Sequence, residues 1–433
     1  MRSVIFLTPI LAFLLLSEIG NSQPQPNSPA TLNLNSVIRE VMDNNNKAAA
    51  MRYMEKAAVD NIGPSGAWDD PMLMIGVQNM PTSFKLNEDE MTMRMLGIKQ
   101  NIPYSGYKGL DSQAARARAK AAKAETRAAE ISLATAAADA YLDLFYRKTA
   151  LGYMQSQREL QNDIITSISA KIATNQANQA ELSAAQADLW RLEAEIISNE
   201  QQTDAAFNSL YALMGKERPQ ILPELAAPEI KPPTVIDTWL DLAKSNYPAL
   251  HQAQNQTESY RYSAASARRM RWPMLGLSAS YGFRSGSSTD AMTGEVMKWD
   301  DMISLQADIS LPIFSGRQQG KMASSMDAMR RSSESEADQI WRDARAELTT
   351  LYSKSQRLSR TLSLYSDRII PADNDALSGA FAGFTANTLP YTSLLTYAMN
   401  IYRDRMNANQ IEYQLAQTLI EAGRYTMNTD NYK

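Results

Sequence analysis

The hydrophobic pattern of this chain changes period twice, each time at a short segment that contains a proline. The segments are Asn101-Ile102-Pro103-Tyr104-Ser105-Gly106 and Ser310-Leu311-Pro312-Ile313-Phe314-Ser315-Gly316. Apolar and polar residues alternate before each segment, as in a strand, whereas long runs rich in Ala, Gln, Arg, Lys and Glu follow it, as in a helix. Proline suits such a junction because it cannot donate to a sheet ladder but fits the first turn of a helix. The chain is therefore predicted to use one strand-to-long-helix unit twice, with Pro103, Gly106, Pro312 and Gly316 at the two junctions.

The first repeat is predicted to span residues 34–215. It opens with a helix over residues 34–61 that is ended by Gly63-Pro64-Ser65-Gly66, and strands follow over about residues 70–80 and 90–101. A long helix then runs from residue 106 to about 173, the Asn-rich residues 173–179 reverse the chain, and a returning helix ends at Gly215. The returning helix has the seven-residue spacing of a coiled coil: Leu182, Leu189, Ile196, Thr203 and Leu210.

A proline-rich linker over residues 216–236 leads to the second repeat, residues 237–423. Here the pattern predicts a helix to about residue 271 with a break at Pro248, and strands over about residues 274–285 and 302–312 with a polar loop at 285–293. A long helix is expected over residues 316–370 and on past Pro371, with a reversal in residues 381–390 and a last helix that ends at Gly423. The last helix repeats the seven-residue spacing, and residues 424–433 form a tail: Leu394, Ile401, Ala408, Leu415 and Ala422 carry the spacing.

The N-terminus has the pattern of a secretory signal peptide. Arg2 precedes an almost entirely apolar run over residues 4–16, and the small residues Gly20 and Ser22 precede a plausible cleavage site at Gln23. An uncleaved anchor helix is the alternative, although a span of the bilayer takes about 20 residues. We expect a cleaved signal peptide over residues 1–22 and an extended leader over 23–33, and the absence of cysteine argues against a lipoprotein.

The predicted strands carry apolar and aromatic residues on one face and small or polar residues on the other. This alternation is typical of a barrel that faces lipid outside and water inside, although soluble strands can look similar. Four strands cannot close a barrel, since about eight are needed, and an open sheet edge is not tolerated in lipid. The pattern therefore predicts a mainly α fold with a membrane β-barrel, in which long antiparallel coiled-coil helices and four strands per chain assemble from several copies.

Composition excludes several functional classes. The net charge of −4 does not indicate the strongly basic surface that nucleic-acid binding requires. With no cysteine and one histidine, His251, the chain cannot build a thiolate or multi-histidine metal site or a cysteine nucleophile, so we expect no catalytic, cofactor or metal site and no enzyme. The 23 methionines could bind soft Cu(I), but Met91, Met93 and Met95 share one strand face, and contact with lipid is the preferred interpretation.

Two tandem halves of this kind, joined by Pro-Φ-Ser-Gly-like junctions, resemble the TolC-like outer membrane factors. The junction at residues 311–317 and the segment from Asp70-Pro71-Met72-Leu73 to Asn79-Met80-Pro81 resemble the heavy-metal branch, the CusC- and CzcC-like proteins. The resemblance implies a homotrimer with a 12-stranded barrel and an α-helical tunnel. It also implies an outer membrane channel of a Gram-negative bacterium that extends into the periplasm. Such a channel passively exports small solutes, here heavy-metal cations, received from an RND-type inner-membrane pump through a periplasmic adaptor.

The resemblance also assigns the hairpin reversals to the tunnel tip that meets the adaptor. The family's aromatic-x-x-Gly motif matches Phe384 to Asn387 in the second half and Ile172 to Asn175 in the first, with Asn in both glycine positions. Asn accepts a left-handed backbone, so both turns are expected to form. Acidic residues that narrow the tunnel in family members are replaced by Ser393 and Thr396, whereas Glu181 keeps an acidic position either for gating or as a helix-start carboxylate.

Two other readings of the sequence stay open. Within the family, the chain could serve a multidrug efflux or type I secretion system. Outside it, a periplasmic adaptor or a coiled-coil structural protein also has long helical hairpins, although four amphipathic strands argue against both.

Overall fold

The computed structural model describes residues 31–221, 223–228 and 235–426. The predicted signal peptide, most of the leader, part of the linker and the end of the tail lie outside the described residues. The elements of the first half are α1 Leu34–Asn44, α2 Asn46–Asp60, α3 Ile62–Gly66, β1 Met72–Gln78, β2 Met93–Ile102, α4 Tyr107–Ala173 and α5 Gln179–Leu213. Those of the second half are α6 Ile236–Asn246, α7 Pro248–Arg269, β3 Leu275–Arg284, β4 Ser287–Thr289, β5 Val296–Lys298, β6 Met302–Ile309, α8 Gln319–Leu364, α9 Ile370–Thr385 and α10 Tyr391–Thr426.

The helix predicted over residues 34–61 is divided. Asn45 is extended, and its side chain accepts a hydrogen bond of 2.9 Å from the Lys47 amide, so that it caps α2. The prediction of a single helix was wrong because an Asn side chain competes for backbone donors and can start a new helix. The segment Gly63-Pro64-Ser65-Gly66 was expected to end the helical region but lies within the short helix α3.

The second long helix also departs from its prediction. It begins at Gln319 rather than Gly316, and Tyr365–Ile369 form one π-helical turn before α9. Pro371 explains the turn, because a proline inside a helix cannot donate its backbone hydrogen bond and its ring crowds the preceding turn. Gly423 does not end the last helix: it is buried within α10, which continues to Thr426. Gly215, by contrast, ends the α5 region as predicted, with a left-handed φ of 66°.

Four strands form one antiparallel sheet in the order β1-β2-β3-β6. The β2–β3 pairing joins the two repeats and places Leu96 opposite Tyr281 and Gly97 opposite Ser280. The polar loop predicted at residues 285–293 contains strand β4, which pairs with β5 as a separate two-stranded ribbon, so the prediction missed this pair of strands. The outer edge of β1 and the outer edge of β6 pair with no further strand among the described residues.

The two faces of the four-stranded sheet differ in chemistry. The apolar face is exposed and includes Leu73, Ile75, Leu96, Ile98, Ile303, Leu305 and Ile309. The polar face carries Lys99 and Asp308, which form a 2.8 Å salt bridge between β2 and β6. Gly276 of β3 lies between the two, and a Cβ there would be 3.1 Å from the Asn101 Oδ1 and in ordinary contact with the Lys99 and Asp308 side chains.

The methionines of β2 lie on the polar face. Met93 and Met95 alternate in phase with Gly97 and Lys99, whereas the apolar-face residues Leu96 and Ile98 have the opposite phase. Met93 is buried, and its sulfur packs over Gly282 of β3. Met93 and Met95 thus share one strand face, as predicted, but this is the polar face, so the preferred interpretation of contact with lipid is wrong for them. Side chains alternate strictly between the two faces of a strand, so the pairing of residues 96–102 fixes the face on which Met93 and Met95 lie.

The helices form an elongated body beneath the sheet. At 1.5 Å per residue the 67 residues of α4 span about 100 Å. α4 packs against α2, α5, α7 and α10, and most of the predicted heptad positions are buried, among them Ile196, Leu210, Leu394 and Ile401. The central cluster contains the fully buried Tyr141, whose hydroxyl donates to the Leu32 and Ala226 carbonyls and ties leader and linker to α4. Among the helices of the described ranges, none has the length and apolar character that crossing a membrane requires.

Candidate functional site

The two hairpin tips end in the same backbone motif. Asn175 follows α4 with a φ of 60°, and Asn387 follows α9 with a φ of 59°. At the first tip the Gln176 amide donates to the Lys171 carbonyl (2.9 Å), and at the second the Thr388 amide donates to the Gly383 carbonyl (2.9 Å). These are the bonds of a helix end closed by a left-handed residue. The expected left-handed backbone at both Asn residues is thus present, and contact with an adaptor stays a prediction.

Lys171 joins the two tips. Its ammonium donates to the Asn387 Oδ1 (2.5 Å) and to the Phe384 carbonyl, and it lies 4.0 Å from the centre of the Phe384 ring. The Phe384 carbonyl belongs to the last turn of α9, where the helix dipole favours a positive charge. Sequence reasoning missed Lys171, although its position in the last turn of α4 and the aromatic at the other tip were both visible signals.

Beneath this contact, apolar and polar groups from both hairpins pack together. Phe384 is buried in a cluster of residues from both halves: Ile164, Ile168, Ala185, Ala380, Tyr391 and Leu394. The Gln161 amide donates to the Ala185 carbonyl (3.2 Å) and lies 3.4 Å from the Tyr391 hydroxyl, which in turn donates to Asp188 (3.4 Å). Burial raises the pKa of Tyr391 to about 12, so the hydroxyl keeps its proton and remains a donor. The helices α4, α5 and α10 are therefore linked by one polar network.

The remaining predicted tip residues occupy helix starts. The Asn178 side chain caps α5 by accepting from the Glu181 amide (2.9 Å), which places Glu181 in the first turn. This position fits the interpretation of a helix-start carboxylate as well as it fits a gate. The Thr396 hydroxyl donates to the Thr392 carbonyl within α10 (2.8 Å), and Ser393 is half-buried in the first turn of that helix.

The two strand-to-helix junctions share a turn and then differ. Pro103 and Pro312 each start a turn, closed by the Gly106 amide (3.3 Å) in the first repeat and by the Ser315 amide (3.0 Å) in the second. Gly106 is left-handed, with a φ of 74°, and precedes α4 directly. Gly316 is not left-handed, and two further residues precede α8. Leu311, Ile313 and Phe314 are exposed at this second junction.

Across residues 31–221, 223–228 and 235–426, no three His, Cys, Asp or Glu side chains are placed to hold a metal ion.

The family model described as "Outer membrane efflux protein" matches residues 37–216 and 239–422, which together make up most of the chain and correspond to its two halves. The chain belongs to the outer membrane efflux protein family. Members are channels of tripartite efflux systems in the outer membrane and are not enzymes, which confirms the predicted family and the absence of an enzymatic role.

Solved structures show the same fold. The chain is similar to CusC, with 17% identity, 92% of each chain covered and a TM-score of 0.73. It is also similar to VceC from Vibrio cholerae, with 18% identity, 90% of this chain and 95% of that chain covered and a TM-score of 0.70. The open-state MtrE channel of Neisseria gonorrhoeae has 16% identity, coverage of 91% and 88% and a TM-score of 0.71. Among the curated proteins no sequence matches the chain.

Proposed function

We propose that this chain forms a homotrimer in which three four-stranded sheets close a 12-stranded outer-membrane barrel above a helical tunnel. The observation that carries this proposal is the sheet itself. Its apolar face is exposed, with Leu305 at 80% and Ile75 at 76% of full exposure, and β1 and β6 present unpaired edges within the described residues. Unpaired edges are not tolerated in lipid, and pairing β6 of one copy with β1 of the next removes them.

The trimer passively conducts small solutes to the exterior, delivered by an RND-type inner-membrane pump through a periplasmic adaptor that binds the hairpin tips. Exposed turns at Asn175 and Asn387, held together by Lys171, supply a compact end of the helical body for that contact. Heavy-metal cations are the proposed cargo, because the segments at residues 70–81 and 311–317 resemble the CusC- and CzcC-like branch. Multidrug efflux and type I secretion are the alternatives.

Membrane fractionation and native mass measurement test the assembly. We expect a detergent-dependent species of three chains in the outer membrane. A soluble periplasmic monomer would overturn the channel and leave an adaptor or a coiled-coil structural protein as the better account.

Growth of a deletion strain tests the cargo. We expect sensitivity to copper, silver, zinc or cobalt salts that the wild-type gene reverses, with unchanged tolerance of dyes and antibiotics. Sensitivity to drugs alone would reject the metal assignment while leaving the channel in place.

A further inference from the structure

A basic cavity of about 720 Å³ lies where helices α7 and α8 meet the sheet. Its charged and polar lining comprises Arg268, Arg271, Lys321, Ser324, Asp327 and Arg331. Four of these side chains are cationic and one is anionic, in a chain whose overall charge is −4. We call this feature the junction cavity, since it lies between the end of α7 and the first turns of α8.

Most of the positive charge in the junction cavity has no counter-ion. Arg268 pairs with Asp327 across the two helices. Arg271, Lys321 and Arg331 form no ion pair or side-chain hydrogen bond with any residue in the described ranges, and all three side chains are exposed. Like charges that line one cavity repel one another, so a bound anion would stabilise the cluster.

The backbone leaves space for Arg271 to reach this position. A Cβ on Gly320 would lie 3.2 Å from the Arg271 Nη2 and 3.4 Å from the Ser315 carbonyl oxygen. A side chain at residue 320 would therefore crowd the guanidinium. Glycine lets the guanidinium lie against the start of α8, beside Lys321, where its planar N–H donors can bind two oxygens of one phosphate.

The surroundings of the junction cavity fit a membrane–water interface. Trp272, Ile313 and Phe314 are next to the cavity in the chain and are 56%, 79% and 70% exposed. Tryptophan is enriched at the level of lipid headgroups, and basic pockets at this level bind headgroup phosphates. If the apolar face of the sheet lies in lipid, as the proposed function requires, the apolar side chains reach the acyl boundary and the cationic groups lie at the depth of the phosphates.

We propose that the junction cavity binds the phosphate of an anionic glycerophospholipid, with Arg271, Lys321 and Arg331 as the binding cations. Three unpaired charges favour a headgroup with a net negative charge over a zwitterionic one. The exposed Trp272 and Phe314 side chains add apolar contact that free phosphate cannot use. The inference rests on the proposed membrane insertion and is independent of the exported solute.

Native mass spectrometry of the full chain, purified in detergent, tests this proposal with three separate probes: phosphatidylglycerol, phosphatidylcholine and inorganic phosphate. We expect saturable binding of one phosphatidylglycerol per chain, about tenfold tighter than phosphatidylcholine, and weakening as salt is raised. Equal binding of the two lipids would overturn the proposal. Inorganic phosphate that binds as tightly as phosphatidylglycerol would replace the lipid with a free anion and overturn the lipid assignment.

Variants locate the binding. R271Q/R331Q is expected to lose about tenfold in affinity for phosphatidylglycerol, whereas R271K/R331K, which keeps the positive charges but not the planar N–H donors, should lose less. The control R345Q/R403Q removes two exposed arginines that are unpaired within the described residues but lie outside the cavity, and it should bind like wild type. Unchanged affinity in R271Q/R331Q would overturn the assignment. If that variant does not assemble, the salt dependence of binding and the lipid preference of the wild-type protein still test the proposal.

The same measurements distinguish the channel proposal from the lipid-binding proposal. A wild-type trimer that complements the deletion strain but shows no preference for anionic lipid would overturn the cavity assignment alone.

Discussion

The Lys171 ammonium lies 4.0 Å from the centre of the Phe384 ring, so the last turn of the first long helix contacts the reversal of the second hairpin. The same ammonium donates to the Asn387 side chain (2.5 Å) and to the Phe384 carbonyl. One side chain thus contacts an aromatic face, a helix C-terminus and the residue whose left-handed backbone makes the turn. The two tips are held as one unit within a chain.

Replacement of Lys171 with Met should loosen the second tip. The substitution keeps the length of the side chain but removes a cation–π contact and charge-assisted hydrogen bonds, so local opening becomes easier by about 1–3 kcal/mol. Hydrogen exchange should show amides of residues 386–389 exchanging about five- to 150-fold faster, which is the ratio for about 1–3 kcal/mol. K123M, which changes an exposed lysine with no ion pair in the described chain, is the control. Unchanged exchange in K171M would show that the contact does not hold the tips together.

The two left-handed asparagines should respond differently to glycine. Glycine adopts this backbone without strain, so N175G should change the apparent melting temperature in detergent little. N387G also loses the Lys171 hydrogen bond and should be destabilised by about 1 kcal/mol. Valine at either position should cost about 1–2 kcal/mol or more, because its Cβ clashes in this conformation. Equal melting temperatures for N175G and N387G would argue that the Asn387 side chain contributes nothing.

Asp139 should make the stability of the helical body depend on pH. Burial raises the pKa of Asp139 to about 6, and the nearby Glu421 carboxylate adds to this increase. The positive charge of Arg424 acts in the opposite direction but is outweighed. At pH values between the ordinary aspartate pKa and about 6, the folded chain holds this proton more tightly than the unfolded chain does. The free energy of unfolding therefore falls as the pH rises through this range. D139N should flatten the pH dependence and raise the melting temperature more at pH 7.5 than at pH 4.5. The control D163N removes an exposed carboxylate and should keep the wild-type profile, whereas a wild-type profile in D139N would exclude Asp139 as the cause.

Adjacent residues of β6 should differ in their contact with water. The chain has no cysteine, so single-cysteine variants can be labelled without background. In the proposed barrel Ser304 faces the water-filled interior and Leu305 faces lipid. A charged methanethiosulfonate reagent should label S304C much faster than L305C in intact outer membranes, because the thiolate is the reacting form and does not persist in lipid. Faster labelling of L305C would reverse the assignment of the two faces.

Local signals in the sequence predicted much of this fold. Period-two alternation located the four strands of the main sheet, heptad spacing located the returning helices, and Asn175 and Asn387 marked the turns where a left-handed residue is needed. Errors arose where two local signals competed. Asn45 starts a second helix within a helical run, and a π-helical turn precedes Pro371. The shared face of Met93 and Met95 was predicted correctly, but its contact with lipid was not, because the same face continues through Gly97 and Lys99.

The sequence by itself thus determined the kinds of element, their order and the twofold internal repeat, because helix and strand periodicity, capping and turn chemistry act over a few residues. Only the tertiary structure decided which residues of the two halves meet. Lys99 pairs with Asp308, Lys171 contacts Phe384, and Arg271 lies beside the start of α8. Each of these contacts depends on strand register and on helix packing between segments far apart in the chain, and no local periodicity contains that information.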